Sequence, residues 1–411
     1  LSKRQDDEGA ELGEVPADNP KLGAVSDVAF VFAAPRNSAR KLGYLHAGGL
    51  VARSHEKLEN EDCPDGWYAV RPRGFVCSGK GATVRLEHPT LAAMALQPRL
   101  DDVLPYSYAR APAAIALLER NTESGVSPAG RLPRGSHLAV VGSWTAPDES
   151  HEPQRLGLLT TGRFVRAAEL AAASPSRFSG VQLSESVTLP VGFVVKRGVR
   201  TWEIEGGTPE PRDELAYHAT LQLTGRFRTV GGERFYALAE GRWVRHKDAT
   251  IVLARHEMPD FAREGTRWVD VSVMANTAVL YEGEKAVFVT LVSVGRDRIG
   301  DPESTASTPR GTFDVVAKHI TRRDKNPLQD ASGAALYDVP WALELSNGRL
   351  LHAALQHDRF GIEHTDGDIH LAPQDAATVF RWATPDLPEG WHSVRTWDEP
   401  ETPKTLVHVR K

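Results

Sequence analysis

Four histidines, His352, His357, His364 and His370, lie between positions 352 and 370, a stretch that would hold fewer than one if the chain's 15 histidines were spread evenly over 411 residues. Asp358, Asp366 and Asp368 are interspersed among them. Imidazole and carboxylate at this density suggest two chemistries. One is a zinc-like site, for which His352, His364, Asp366, Asp368 and His370 are the candidate ligands. The other is acid–base work: carboxylates two positions apart repel one another's charge, which raises one of them above its usual value of about 3.9 and leaves an acid beside a base. Hydrolysis of an amide by such a pair demands tight mutual geometry.

Elements able to hold these residues can be read nearby. Trp268–Val273 and Ala286–Gly295 alternate apolar and polar residues around a turn at Glu282-Gly283-Glu284, which predicts a hairpin. A third strand is expected at Gly311–Lys318. Pro373–Trp382 opens with proline and repeats apolar residues at three- and four-residue spacing, the pattern of one packed helix.

The rest of the chain reads as β modules. At 411 residues it has room for several cores, and its net charge of −5 without a long basic block gives no footprint for nucleic acid. No apolar run reaches the length of a membrane span, and the polar opening Leu1–Glu8 is not signal-like, so a mature, soluble form is expected. Residues 1–22 read as a flexible leader with order beginning near Gly23, 23–90 as a small β unit, and 91–255 as β-rich middle modules. Short helices are expected at Pro89–Leu96 and Ala113–Glu119. The runs starting Gly162-Arg163-Phe164-Val165-Arg166 and Gly241-Arg242-Trp243-Val244-Arg245 share one form and suggest two related modules. Tryptophans and tyrosines of this region either stack on a glycan or fill cores. Cys63 and Cys77 flank a strand-like run; they read as a disulfide closing a hairpin-sized loop in an oxidising compartment, or as two buried thiols.

Two resemblances add to this reading. Gly66–Val76, with Gly-Trp-Tyr-Ala-Val followed by Gly-Phe-Val, resembles the later strands of bacterial SH3-like domains. Residues 260–397 resemble the L,D-transpeptidase (YkuD-type) catalytic domain. The likeness runs through Trp268-Val269-Asp270-Val271, Ser293-Val294-Gly295, Ser307–Phe313, Tyr337-Asp338-Val339-Pro340-Trp341 and Leu351–Gly361. That family forms an acyl-enzyme on the cysteine of "[ST]-H-G-C-x-[NR]-L", with a histidine beside it and backbone N–H groups for the oxyanion. This chain has Thr365-Asp366-Gly367-Asp368-Ile369-His370-Leu371 there. Thr365, Gly367 and Leu371 fit; Asp366 stands for the histidine, Asp368 for the cysteine and His370 for the Asn or Arg, while His352 remains.

The fold expected is mainly β and multidomain: an SH3-like small barrel, β-rich middle modules, and a C-terminal L,D-transpeptidase-like β-sandwich with one packed helix, followed by a tail at 398–411. Asp368 is expected at a cleft mouth with His352 across from it, and Tyr337, Trp341, Gln356 and His357 along a ligand groove. The resemblance implies an exported, periplasmic or cell-envelope pseudoenzyme that binds peptidoglycan or an envelope protein, without a cofactor and without a membrane span. The alternative is an active peptidoglycan enzyme, a transpeptidase or a metal- or carboxylate-dependent peptidase, with altered chemistry.

Overall fold

A computed structural model describes residues 14–121, 125–146, 154–323, 328–329, 335–396 and 404–411. Residues 1–13 of the expected leader and 398–403 of the expected tail lie outside the described residues. The fold is mainly β, in several sheets, with one packed ten-residue helix. The chain divides into two compact units, one within 1–174, 316–344 and 380–402, the other within 175–315, 345–379 and 403–411.

In the first unit, order begins earlier than Gly23: the strand Lys21–Ala24 pairs with Leu50–Ala52, and Val15 is already buried against Trp67, Phe75 and the two cysteines. An apolar side chain and the Glu14–Arg71 ion pair tie this stretch down despite its polar composition. Cys63 and Cys77 are bonded to each other, with Cα atoms 5.9 Å apart. Cys63 opens the strand Cys63–Ala69, opposite Asn60, and Cys77 closes Phe75–Cys77, opposite Trp67.

The two halves of the Gly-Arg-aromatic-Val-Arg echo occupy the same place in two sheets with one strand order. In the first unit the order is Ala171–Ala172, Ser107–Arg110, His137–Ala146, Gln154–Leu159, Phe164–Arg166, Ile115–Asn121 and Gly125–Leu132. In the second it is Ala249–Val252, Val191–Val194, Thr220–Val230, Glu233–Leu238, Trp243–Arg245, Arg200–Glu205 and Thr208–Glu214. Each echo is a glycine turn leading into a three-residue strand and a 3₁₀ turn, Ala167–Glu169 or His246–Asp248. The turn is closed by matching backbone bonds, Leu159 N to Arg163 O and Leu238 N to Arg242 O, both 2.8 Å.

Ala113–Glu119 is not a helix: Ile115–Asn121 is a strand paired with Gly125–Leu132. A seven-residue helix is not stable by propensity alone, whereas the hairpin pairs all of Ile115–Asn121 with a partner strand, with one bulge between Leu117 and Leu118. Of the second expected helix only Pro89–Ala93 is helical. The indoles of Trp144, Trp202 and Trp243 are half-buried under Arg120, Arg245 and Arg228 respectively.

In the second unit Arg267–Ser272, Thr277–Glu282 and Lys285–Ser293 form a meander. Trp268 and Tyr281 stack at 4.3 Å inside it, in a core with Phe193, Leu291 and Phe360. The predicted turn at Glu282-Gly283-Glu284 joins the second and third of these strands. Leu406–Arg410 runs parallel to Arg267–Ser272 and antiparallel to Gly311–Asp314, so the chain's last residues complete the sheet.

Candidate functional site

Leu350–Ala353 and Ile369–Leu371 pair in parallel, with Leu351 opposite Ile369, His352 opposite His370 and Ala353 opposite Leu371. Side chains at one register of a parallel pair share a face, and the His352 and His370 rings lie 4.5 Å apart. Ile369–Leu371 also pairs with the end of Lys285–Ser293, which fixes it in the meander.

The four histidines form a chain of contacts. His370 Nδ1 is 2.9 Å from His357 Nε2, and the rings of His357 and His364 are 4.5 Å apart. The hydrogen bonds assign the tautomers for neutral rings. The Arg359 N–H donates to His357 Nδ1 at 3.1 Å, so the His357 proton sits on Nε2 and is donated to His370 Nδ1. His352 Nδ1 is 2.8 Å from the Ala353 carbonyl, which only accepts; its proton is therefore on Nδ1. That leaves a lone pair on His352 Nε2, buried and without a hydrogen-bond partner among the described residues. Burial holds His352 below the ordinary imidazole value, opposed by the Asp368 charge. Burial, and then His352, His357 and His364, hold His370 well below it.

The loop ahead of Ile369 is braced from three sides. Thr365 forms a parallel bridge with Gly295, its N–H donating to Val294 O at 3.0 Å and its carbonyl accepting from Arg296 N at 2.9 Å. Gly295 N in turn donates to Thr308 Oγ1 at 2.8 Å. The Thr365 hydroxyl donates to Asp368 O at 2.6 Å and accepts from Gly367 N at 3.1 Å, closing the turn on itself. Gly367 has φ +114°, and a Cβ there would lie 2.9 Å from Arg349 Cζ and 3.2 Å from Ser307 O. Glycine is thus required for both backbone and space.

The two aspartates have separate partners. Asp366 is exposed and ion-paired with Arg296. The Asp368 carboxylate accepts the Leu350 N–H at 2.9 Å. Among the described residues, no group of three or more His, Cys, Asp or Glu side chains is placed to hold a metal ion. Gln356 turns its Oε1 to the Leu355 N–H at 3.0 Å. Trp341, expected along a groove, is instead a core residue of the first unit: it is 0% exposed, donates its indole N–H to Val103 O at 2.7 Å and packs on Phe380. Tyr337 is half-buried in the same unit against a core of Ile115, Leu138 and Val165.

Sequence reading missed the braces. Arg296 and Arg349 hold Asp366 by its carboxylate and by its carbonyl (3.0 Å), yet as isolated surface arginines they carry no local pattern. It also missed Asp375, which is buried in the helix's first turn, accepts from Thr290 Oγ1 and Gly180 N, and is pushed up to about 7 by burial.

Residues 266–409 match the L,D-transpeptidase catalytic domain family, YkuD. Among solved structures, the L,D-transpeptidase (residues 123–326) from Xylanimonas cellulosilytica is 16% identical over 38% of this chain and 65% of that one, with a TM-score of 0.24. An L,D-transpeptidase from Stackebrandtia nassauensis is 17% identical over 38% and 62%, TM-score 0.25, and one from Mycobacterium smegmatis is 17% identical over 46% and 82%, TM-score 0.26. The chain therefore spans less than two thirds of the first two structures. No curated protein matches it.

Proposed function

We propose that this chain is an exported cell-envelope pseudoenzyme that keeps the L,D-transpeptidase fold to hold peptidoglycan or an envelope protein, and forms no acyl-enzyme. The carrying observation is at position 368. Where the family's motif has a nucleophilic thiolate, this chain has a carboxylate that accepts the Leu350 N–H. A carboxylate is a weak nucleophile toward an amide, and an acyl-aspartate is an anhydride that water destroys before a second peptide can accept the acyl group. The chain's two cysteines are bonded to each other, which also supports an oxidising compartment. The SH3-like resemblance of residues 23–90 supports a modular wall-binding protein, and the reading invokes no cofactor.

The alternative, a peptidoglycan enzyme with altered chemistry, is favoured by one observation: His352 presents a buried Nε2 lone pair that has no hydrogen-bond partner among the described residues. Incubation with purified sacculi separates the two. The pseudoenzyme co-sediments with sacculi and leaves the muropeptide profile unchanged, with or without added zinc; a changed profile establishes the enzyme.

A further inference from the structure

The turn Leu215–Ala219, between the strands Thr208–Glu214 and Thr220–Val230 of the second unit, sets two side chains against the histidine loop. His218 has φ +65°, a left-handed conformation that side chains rarely adopt unless their surroundings enforce it. Its N–H donates to Val194 O at 2.8 Å, its ring stacks on Tyr217 with centroids 3.8 Å apart, and Phe178 packs on it at 4.8 Å. Burial outweighs the Asp358 charge and holds the ring below the ordinary imidazole value.

From this turn and its neighbours the chain at 358–361 is gripped. Tyr217 donates its hydroxyl to the Asp358 carbonyl at 3.1 Å. His218 Nε2 lies 3.3 Å from the Phe360 carbonyl, which only accepts, so the ring carries its proton on Nε2. Ser176 donates to the Asp358 carboxylate. Gly361, at φ +90°, lies so close to Val195 that a Cβ there would come within 2.6 Å of its Cγ1.

The Asp358 carbonyl and the Arg359 N–H belong to one peptide unit, which is planar and stiff. Tyr217 therefore orients the N–H that donates to His357 Nδ1 at 3.1 Å, and a carbonyl that accepts a hydrogen bond makes its own N–H the stronger donor. His357, protonated on Nε2 for that reason, donates to His370 Nδ1 at 2.9 Å. One hydrogen-bond chain thus runs from Tyr217 through the Asp358–Arg359 peptide and His357 to His370, and leaves the neutral His370 protonated on Nε2. His352, held by the Ala353 carbonyl, keeps the opposite tautomer without help from this chain. We propose that Tyr217 and His218 are positioning residues for this site, and that the β module at 191–252 fixes the His370 tautomer through them. The inference rests on the proposed function for what that tautomer serves.

Nitrogen-15 NMR of the imidazole rings in the full chain reads each tautomer directly. The unaltered protein should show His370 protonated on Nε2 and His352 on Nδ1. Tyr217→Phe removes the hydroxyl and keeps the stacked ring. His218→Gly removes the ring and keeps the turn, since glycine adopts positive φ without strain. Each should lower the Nε2-to-Nδ1 proton ratio at His370 by about two- to tenfold, the worth of one neutral hydrogen bond, and leave His352 unchanged. His218→Gln carries an N–H at similar reach and should recover most of the ratio. An unchanged ratio in both folded variants overturns the proposal. So does an equal change at His352, which would mean general loosening, or no recovery in His218→Gln, which would assign the effect to packing. If His218→Gly fails to fold, Tyr217→Phe, which alters a half-buried side chain, decides alone. The measurement uses no sacculi, so its failure leaves the proposed function standing, and a failure of co-sedimentation leaves the tautomer result standing.

Discussion

His352 and His370 stand at one register of two parallel strands, their rings 4.5 Å apart, and both are buried and held below the ordinary imidazole value. They differ in what they offer. His370 is engaged through Nδ1 by His357, while His352 Nε2 has no hydrogen-bond partner among the described residues.

Burial of neutral imidazoles makes stability pH-dependent. His46, His319, His352, His370 and His392 are all lowered by burial, His392 to about 3. Their contribution is present above the unfolded value of about 6.5 and is lost as pH falls below it, because the unfolded chain takes up protons that the folded one refuses. Each group costs up to about 1.4 kcal/mol per pH unit in that window. Urea midpoints should fall steeply between pH 7 and pH 5; a flat profile contradicts the burial of these rings.

Asp375 works in the opposite sense. Its folded value of about 7 lies above the ordinary 3.8, so its contribution is complete below 3.8 and is lost as pH rises through 7. Asp375→Asn keeps a neutral acceptor for Gly180 N and Thr290, and should stabilise the protein at pH 8 by roughly 2–4 kcal/mol relative to its effect at pH 4. Equal effects at both pH values would show that the carboxyl is not raised.

Gly367→Ala should destabilise the loop by about 1–3 kcal/mol, since it forces a side chain into positive φ against Arg349 and Ser307. Hydrogen exchange would locate the loss within 365–371. An unchanged melting curve and exchange pattern would refute the described turn.

Reduction of the Cys63–Cys77 bond releases a hairpin-sized loop and should cost about 3 kcal/mol. Denaturation with and without reductant measures this, and coincident curves would contradict it.

How much of this was legible in the sequence varied with the kind of signal. The helix at Pro373–Trp382 announced itself through proline placement and apolar spacing, both local. The turn at Gly283 was equally plain, but Thr277–Glu282 went unread because a buried central strand, flanked on both sides by partners, lacks polar alternation. Ile115–Asn121 misled because alanine and leucine favour helix until a partner strand intervenes. Trp341 sits in a motif beside Tyr337, and sequence adjacency says nothing of burial. The crowding of His352, His357, His364 and His370 was visible as composition. Their order in space, 352 to 370 to 357 to 364, depends on a parallel strand register and a loop return that no local pattern encodes.

If the loop retains the oxyanion geometry of the family, restoring its residues should restore its reactivity. Asp366→His with Asp368→Cys is expected to gain a covalent carbapenem adduct, since it returns a thiolate and an imidazole to the two positions where the family's motif has them. The absence of an adduct in a folded double variant would mean that Arg296, Gln356 or His370 has reshaped the loop beyond repair.

The most direct test of the central claim uses the unaltered chain. Carbapenems acylate the family's cysteine, and intact-protein mass spectrometry after incubation with one reads a single covalent addition. The account predicts the unmodified mass, because position 368 offers a carboxylate and both cysteines are bonded to each other. An adduct mapped within residues 352–371 would contradict it and establish a nucleophile in this loop.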